Sequence, residues 1–332
     1  MHKKTKKIVR NILCITGILC LVGCGEVKQT PAAPESEQET EAAEFKEPEI
    51  TEDNFEQYDI VLPGCQGEYD LLFLTDMHIS MPTEGSQEVR AYVEKRWNMF
   101  TAQEGSGNEA SEYFKAFLAY GKKREIDALL LGGDIIDSPS EGNLGFLKET
   151  LGQLNIPYLY ALGNHDWTYP WNYMTPEGKE EYLPLLSPYM EGNVYFSTME
   201  FEDFIIVCLD NSSNQFSAEA LEDYRQVLKM GKPVMLMFHV PLLTEPLLEK
   251  AKQVWKSDVV IGVSNQGGIV PNKVSGEIMQ LTLSEGSPVF MILAGHVHFS
   301  DSSTLKNNSL QIVGGAGYMG RGVLLYISGQ GN

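Results

Sequence analysis

Ala128-Leu129-Leu130-Leu131-Gly132-Gly133-Asp134-Ile135-Ile136-Asp137 reads as a short buried strand that runs into a glycine turn and presents carboxylates where it ends. The same grammar recurs four times. Leu71–Thr75 runs into Asp76-Met77-His78, and Tyr158–Leu162 into Gly163-Asn164-His165-Asp166. Val234–Phe238 runs into His239, and Val289–Ala294 into Gly295-His296-Val297-His298. Five of the six histidines therefore sit where an apolar run stops. In α/β sheets ligands gather at the carboxyl ends of strands, so these distant residues are expected to converge on one cluster of imidazoles and carboxylates.

Working outward, strand-like runs near 69–75, 128–132, 157–162, 194–200, 204–210, 233–239, 288–294, 309–313 and 322–327 alternate with helix-like segments. The helical patterns lie at 88–103, 110–124, 142–154, 217–229, 242–256 and 273–284. Such alternation predicts an α/β fold. Neither an internal repeat nor a linker follows residue 57, so one domain over 57–332 is expected. Two insertions interrupt the motifs. Residues 80–127 are expected to add two helices beside the site. Residues 167–192, with Trp167, Tyr169, Pro170, Trp171 and Tyr173, either wall a substrate pocket or pack a long loop onto the domain.

The chain has 332 residues, 43% of them hydrophobic and 21% charged, and a formal net charge of −20. Lys3, Lys4, Lys6, Lys7 and Arg10 make the first 23 residues basic, +5 in all, and residues 24–56 carry −9, leaving −16 on the remainder. A domain this acidic lacks the basic stripe that grips a phosphate backbone, so stable binding to long nucleic acid is not expected. The basic start, the apolar stretch Ile12–Val22 and Leu21-Val22-Gly23-Cys24 have the shape of a signal peptide ending in a lipobox. That resemblance to bacterial lipoproteins implies cleavage after residue 23, a lipidated Cys24 and attachment to the outer side of the cell membrane. A plain secretory signal or an anchor helix is the alternative. Residues 24–56, rich in Glu, Pro and Ala, are expected to form a disordered acidic tether. Cys14 and Cys20 would leave with the signal, and spacing does not decide whether Cys65 and Cys208 pair.

Each motif has a modest explanation when taken alone. Asp76 and His78 share one face of a strand and suit one ion, but an Asp capping a turn beside an incidental His looks the same. Asp134 offers two oxygens that can bridge two ions, or it closes an ordinary Gly-Asp turn. Asn164 offers a neutral oxygen, His165 a proton beside it, and either Asp166 or Asp137 an oxygen to orient that imidazole. His239 alone would pass for a core histidine. His296-Val297-His298 repeats the same-face spacing.

Together, in this order, the five blocks resemble the signature of the calcineurin-like metallophosphoesterases: D-x-H, G-D-x-x-D, G-N-H-D/E, H and G-H-x-H. The resemblance spans Asp76 to His298. It implies a four-layer fold, with two mixed β-sheets packed as a sandwich and flanked by helices. It also implies two divalent ions, one held by Asp76, His78, Asp134 and His298, the other by Asp134, Asn164, His239 and His296. His165 would lie near the leaving group. Nitrogen and oxygen donors without thiolate suit Mn, Fe or Zn. The expected reaction is hydrolysis of a phosphate ester by metal-activated hydroxide attacking phosphorus. The expected substrate is a small molecule or an envelope component, and a pyrophosphate or nucleotide is an alternative. A non-catalytic surface lipoprotein binding phosphorylated ligands on the same scaffold is the reading from another class. Ser138-Pro139 after Asp137, and Asp166 in the third block, depart from the protein Ser/Thr phosphatase branch. His78 departs from the purple acid phosphatase branch. Arg321 in the glycine-rich stretch 314–322 either meets a phosphate or sits in a turn before the last strand.

Overall fold

The computed structural model describes residues 48–190 and 192–329. The expected signal peptide, Cys24 and the tether up to residue 47 lie outside the described residues. Within them, no helix is long and apolar enough to cross a membrane.

Eleven strands form two mixed sheets among these residues. In the first, β1 (Phe55–Val61), β11 (Gly322–Ser328), β2 (Glu68–Leu74), β3 (Ala128–Leu131) and β4 (Tyr158–Tyr160) lie side by side in that order. In the second the order is β5 (Phe196–Glu200), β6 (Ile205–Leu209), β7 (Val234–Met237), β8 (Val289–Ala294), β10 (Leu310–Val313) and β9 (Asp301–Thr304). Strands β2, β3 and β4 run parallel, as do β6, β7, β8 and β10, while β11 is antiparallel to β2. All carboxyl ends of the motif-bearing strands therefore open on one edge.

The apolar runs are continuous because both faces of these strands are covered. Leu71, Phe73, Ala128 and Leu130 point inward to meet Ile206, Cys208, Met235, Met237, Met291 and Leu293 of the other sheet. Their neighbours Leu72, Leu74, Leu129 and Leu131 point outward, under α2 (Ala110–Arg124) and α3 (Glu141–Leu151). Val207, Leu236 and Ile292 do the same on the second sheet, under α5 (Leu221–Lys229), α6 (Glu245–Trp255) and α7 (Lys273–Leu283). Helix, sheet, sheet, helix: the four expected layers are present.

Several elements differ from expectation. The tether was expected to extend through residue 56, yet Phe55 and Glu56 already pair with Gly322 and Val323 in β1. The alternation in Phe55–Val61 puts polar side chains outward and was masked by the acidic context. The short edge strand β9 was also missed. The pattern at 88–103 is not one helix: α1 (Gln87–Asn98) passes into a π-helical turn, Met99–Gln103. Residues 167–192 contain α4 (Pro176–Leu186), started by Thr175 as N-cap with Pro176 at the first position. Its internal Pro184 hid the helix from a periodicity argument. Cys65 and Cys208 are both buried and free.

Asp203 ties the start of β2 to the β5–β6 turn by accepting from Gly67 N (2.9 Å) and Tyr69 Oη (2.8 Å). The Gly67 N–H and the Tyr69 hydroxyl hold its carboxyl down at about 2. A depressed carboxyl adds stability above its unfolded value, about 3.9, and loses it as pH falls towards 2. Asp203→Asn is therefore expected to flatten the acid limb of a stability–pH curve across that window. Denaturant midpoints that track the wild type there would remove this role.

Candidate metal centre

The two sheets divide the site between them. Turns after β2, β3 and β4 bring Asp76, His78, Asp134, Asn164 and His165, while turns after β7 and β8 bring His239, His296 and His298. Every one except His165, His296 and His298 is fully or almost fully buried. Asp76, His78, Asp134, His296 and His298 all have φ between 47° and 73°. That left-handed backbone is unfavourable for residues with a Cβ by roughly 1–2 kcal/mol each, and it aims side chains that an extended strand would turn away.

Two glycines let the loops close. Gly133 has φ +93°, and a Cβ there would sit 2.5 Å from His239 Nδ1. A Cβ on Gly163 would sit 2.1 Å from Asp134 Oδ1.

Besides the His78–Asp137–His165 contact, donor atoms converge in two overlapping groups. Asp76, His78, Asp134 and His298 form one, and Asp134, His239 and His296 the other, with ligand atoms in each lying within 4.8 Å of one another. Asp134 Oδ2 is 3.7 Å from His78 Nε2 and 3.2 Å from His239 Nε2, so this carboxylate belongs to both. Imidazole nitrogens face each other: His78 Nε2 and His298 Nε2 at 2.9 Å, His296 Nδ1 and His239 Nε2 at 3.2 Å. The buried Asn164 Oδ1 has no hydrogen-bond partner, and its amide nitrogen donates to Tyr173 Oη at 3.1 Å. Converging imidazole nitrogens and an orphaned carbonyl oxygen are what a pair of cations would satisfy. The donor set fits two divalent ions in the arrangement expected from the motifs.

Hydrogen bonds behind the cluster fix which nitrogen faces in. His239 Nδ1 donates to Gly132 O (2.8 Å), and His78 Nδ1 donates to Asp137 Oδ1 (2.7 Å), leaving Nε2 inward in both. Burial pushes His296 down to about 3 and holds His78 and His298 below the ordinary imidazole value, which keeps them neutral. His239 is the exception. Burial opposes its charge, yet Asp134, with Asp76 and the Gly132 carbonyl behind it, outweighs burial and raises it to about 9.

Asp137 and Asp166 divide the supporting work, and Asp166 does not orient His165. Both Asp166 oxygens are occupied, by Gly163 N (2.7 Å), Asp134 N (3.0 Å), Ile136 N (3.1 Å) and Tyr160 Oη (2.7 Å). It bolts the second motif to the third. Asp137 is the residue beside His165, with Oδ1 3.2 Å from His165 Nδ1. It is fully buried and clamped by the Arg96 guanidinium through Nε and through Nη2, the latter at 2.8 Å.

Other supports carried little or no sequence signal. Arg96 comes from α1, outside every motif. Phe100, on the π-helical turn, stacks on His78 at 4.3 Å. Thr75 Oγ1 donates to Asp76 Oδ2 at 2.9 Å. Asn211 Oδ1 accepts from His239 N and Val240 N at 3.1 and 2.9 Å. Asn211 was findable, because Ile205–Leu209 runs into Asp210-Asn211 just as the other strands run into their motifs. Of the aromatic loop, Tyr173 lines the cavity, whereas Trp167 is buried and donates to Ser212 Oγ, and Tyr169 stacks on Trp171. Arg321 donates to Asp53 O and does not line the cavity.

The cluster opens into a cavity of about 350 Å³ lined by Arg96, Met99, Phe100, Glu104, Asp134, Asn164, His165, Tyr173, Trp255, Val259, His296 and His298. A four-layer sandwich whose strand ends carry two donor clusters sharing Asp134 has the architecture of a metallophosphoesterase. Residues 69–300 match the calcineurin-like phosphoesterase family, and the chain belongs to it. It is accordingly a phosphoester hydrolase. Among solved structures it resembles a dimetal phosphatase from Danio rerio, at 13% identity and a TM-score of 0.47 over 75% of this chain and 88% of that one. It also resembles purple acid phosphatase PPD1 from yellow lupin, at 14% identity and a TM-score of 0.46 over 77% of this chain and 45% of that one. No curated protein matches it in sequence.

Proposed function

We propose that this chain hydrolyses small phosphate esters at the outer face of the cell membrane, held there by lipidated Cys24 and the acidic tether. The observation that carries the chemistry is the pair of donor clusters sharing Asp134 at the floor of the cavity. A volume of about 350 Å³ suits a small ester, being near the low end for small-molecule pockets. The basic start, apolar stretch and Leu21-Val22-Gly23-Cys24 support the location.

Asp76, His78, Asp134 and His298 would hold one ion, and Asp134, Asn164, His239 and His296 the other. When bound, two such ions supply positive charge for phosphoryl oxygens and acidify water. His165 handles the leaving group. Its Nδ1 faces Asp137, which leaves Nε2 for the cavity. Burial disfavours its proton, but Asp134 and Asp137 outweigh burial and raise its pKa, so it can protonate a departing alkoxide. Tyr173 and Trp255, both partly exposed and lining the cavity, give the alcohol portion of the ester an aromatic wall.

Metal analysis of residues 48–332 with matched aryl phosphate mono- and diesters tests this. About two ions per chain and turnover that stops on chelation are expected. No turnover after loading with Mn, Fe or Zn would refute the proposal. His165→Gln should cost on the order of 10²-fold on an alkyl ester and far less on a nitrophenyl ester, which leaves without a proton. Equal losses on both would rule out the acid role.

A further inference from the structure

We propose that Arg96 binds a non-bridging oxygen of the substrate phosphoryl group, so that helix α1, inside the 80–127 insertion, supplies a specificity determinant that the five motifs lack. The inference rests on the phosphoesterase reading of the same cavity. Histidines aside, Arg96 is the one basic side chain among the described residues lining it, in a domain that carries a large excess of acid. A guanidinium has five N–H donors. Nε and Nη2 each give one to Asp137, and Nη1 gives one to Met99 Sδ at 3.3 Å, a weak acceptor. Two further N–H groups remain. Asp137 has no exposed side-chain surface, but 16% of the Arg96 side chain is exposed, and the cavity is where it faces.

The group is also held still. Its guanidinium carbon lies 4.6 Å from the Phe100 ring centroid, and that ring stacks in turn on His78. An arginine gripped by a buried carboxylate on one edge and an aromatic face on one side loses little further freedom on binding. A planar guanidinium edge suits phosphoryl oxygens. Monoesters, which present more free oxygens and more charge than diesters, should depend on it more.

The test uses metal-loaded protein, with inorganic phosphate as the probe in calorimetry and matched aryl mono- and diesters in kinetics. Arg96→Met should weaken phosphate binding and raise monoester KM by on the order of 10–100-fold, as expected for a lost charge-assisted hydrogen bond. Diester KM should move much less, Arg96→Lys should fall between, and metal content should stay at the wild-type value. Unchanged phosphate affinity in Arg96→Met and Arg96→Lys would overturn the proposal. So would a fall in kcat alone with a displaced pH profile, because Arg96 would then only position Asp137. If Arg96→Met does not fold, Arg96→Lys decides by the same phosphate affinity. Arg96-dependent phosphate binding in a protein that turns over no ester would sink the hydrolase reading and leave this one standing.

Discussion

Asp134→Asn is expected to lower kcat by on the order of 10³-fold or more and to leave neither ion retained through gel filtration. One oxygen of this carboxylate lies within 4 Å of an imidazole from each cluster, His78 and His239. The other accepts from His165 N at 2.8 Å. The amide of Asn matches the carboxylate in shape and can still accept that bond, so the fold should survive. What disappears is the negative charge shared by both halves. Burial opposes that charge, and the surrounding histidines, His239 first, overcome burial and hold Asp134 well below the ordinary carboxylate range. Elemental analysis beside a far-ultraviolet spectrum separates the two effects. Two ions retained at unchanged kcat would exclude a bridging role.

Asp166→Ala should produce the largest loss of stability, with activity following as a consequence. Three backbone N–H groups and the Tyr160 hydroxyl converge on that side chain, all buried. Each donor left without a partner costs about 1–3 kcal/mol where water does not enter. A total near 3–5 kcal/mol, as for other broken buried charged networks, would lower Tm by about 10 °C in a domain of this size. Burial and the charge of Asp134 push the Asp166 carboxyl up to about 7 against those donors. Asp166→Asn keeps one acceptor but turns a donor toward N–H groups, so its loss should be intermediate. Thermal unfolding of metal-free protein gives the readout. A Tm within about 2 °C of wild type would show that the bolt is dispensable.

Most of the fold could be read from the sequence because nine strands are apolar or alternate plainly and end in polar punctuation. β1 escaped because its alternation is set among acidic residues, β9 because Asp301–Thr304 is wholly polar, and α4 because proline interrupts its period. At the site, residues contributed by strand ends were legible, since strand direction alone brings them to one edge. What stayed hidden was second-tier geometry. Asp166 and Asp137 are chemically alike, and adjacency in sequence favours Asp166, the wrong one, as the partner of His165. Only backbone donors meeting Asp166 and a guanidinium meeting Asp137 tell them apart. Arg96 lies 41 residues from Asp137 on an element with no motif, and no local pattern could have paired them.

The division of the ligands between the two sheets has a consequence for how the molecule is made. Neither sheet alone owns a complete donor set: β2, β3 and β4 lack the imidazoles of His239, His296 and His298, and β7 and β8 lack every carboxylate. High affinity for a pair of divalent ions can therefore arise only after the halves have met across the interior that holds Leu71 and Met291. Uptake of metal during refolding would mark the moment of sandwich closure, and a half-formed chain would stay blind to the ion.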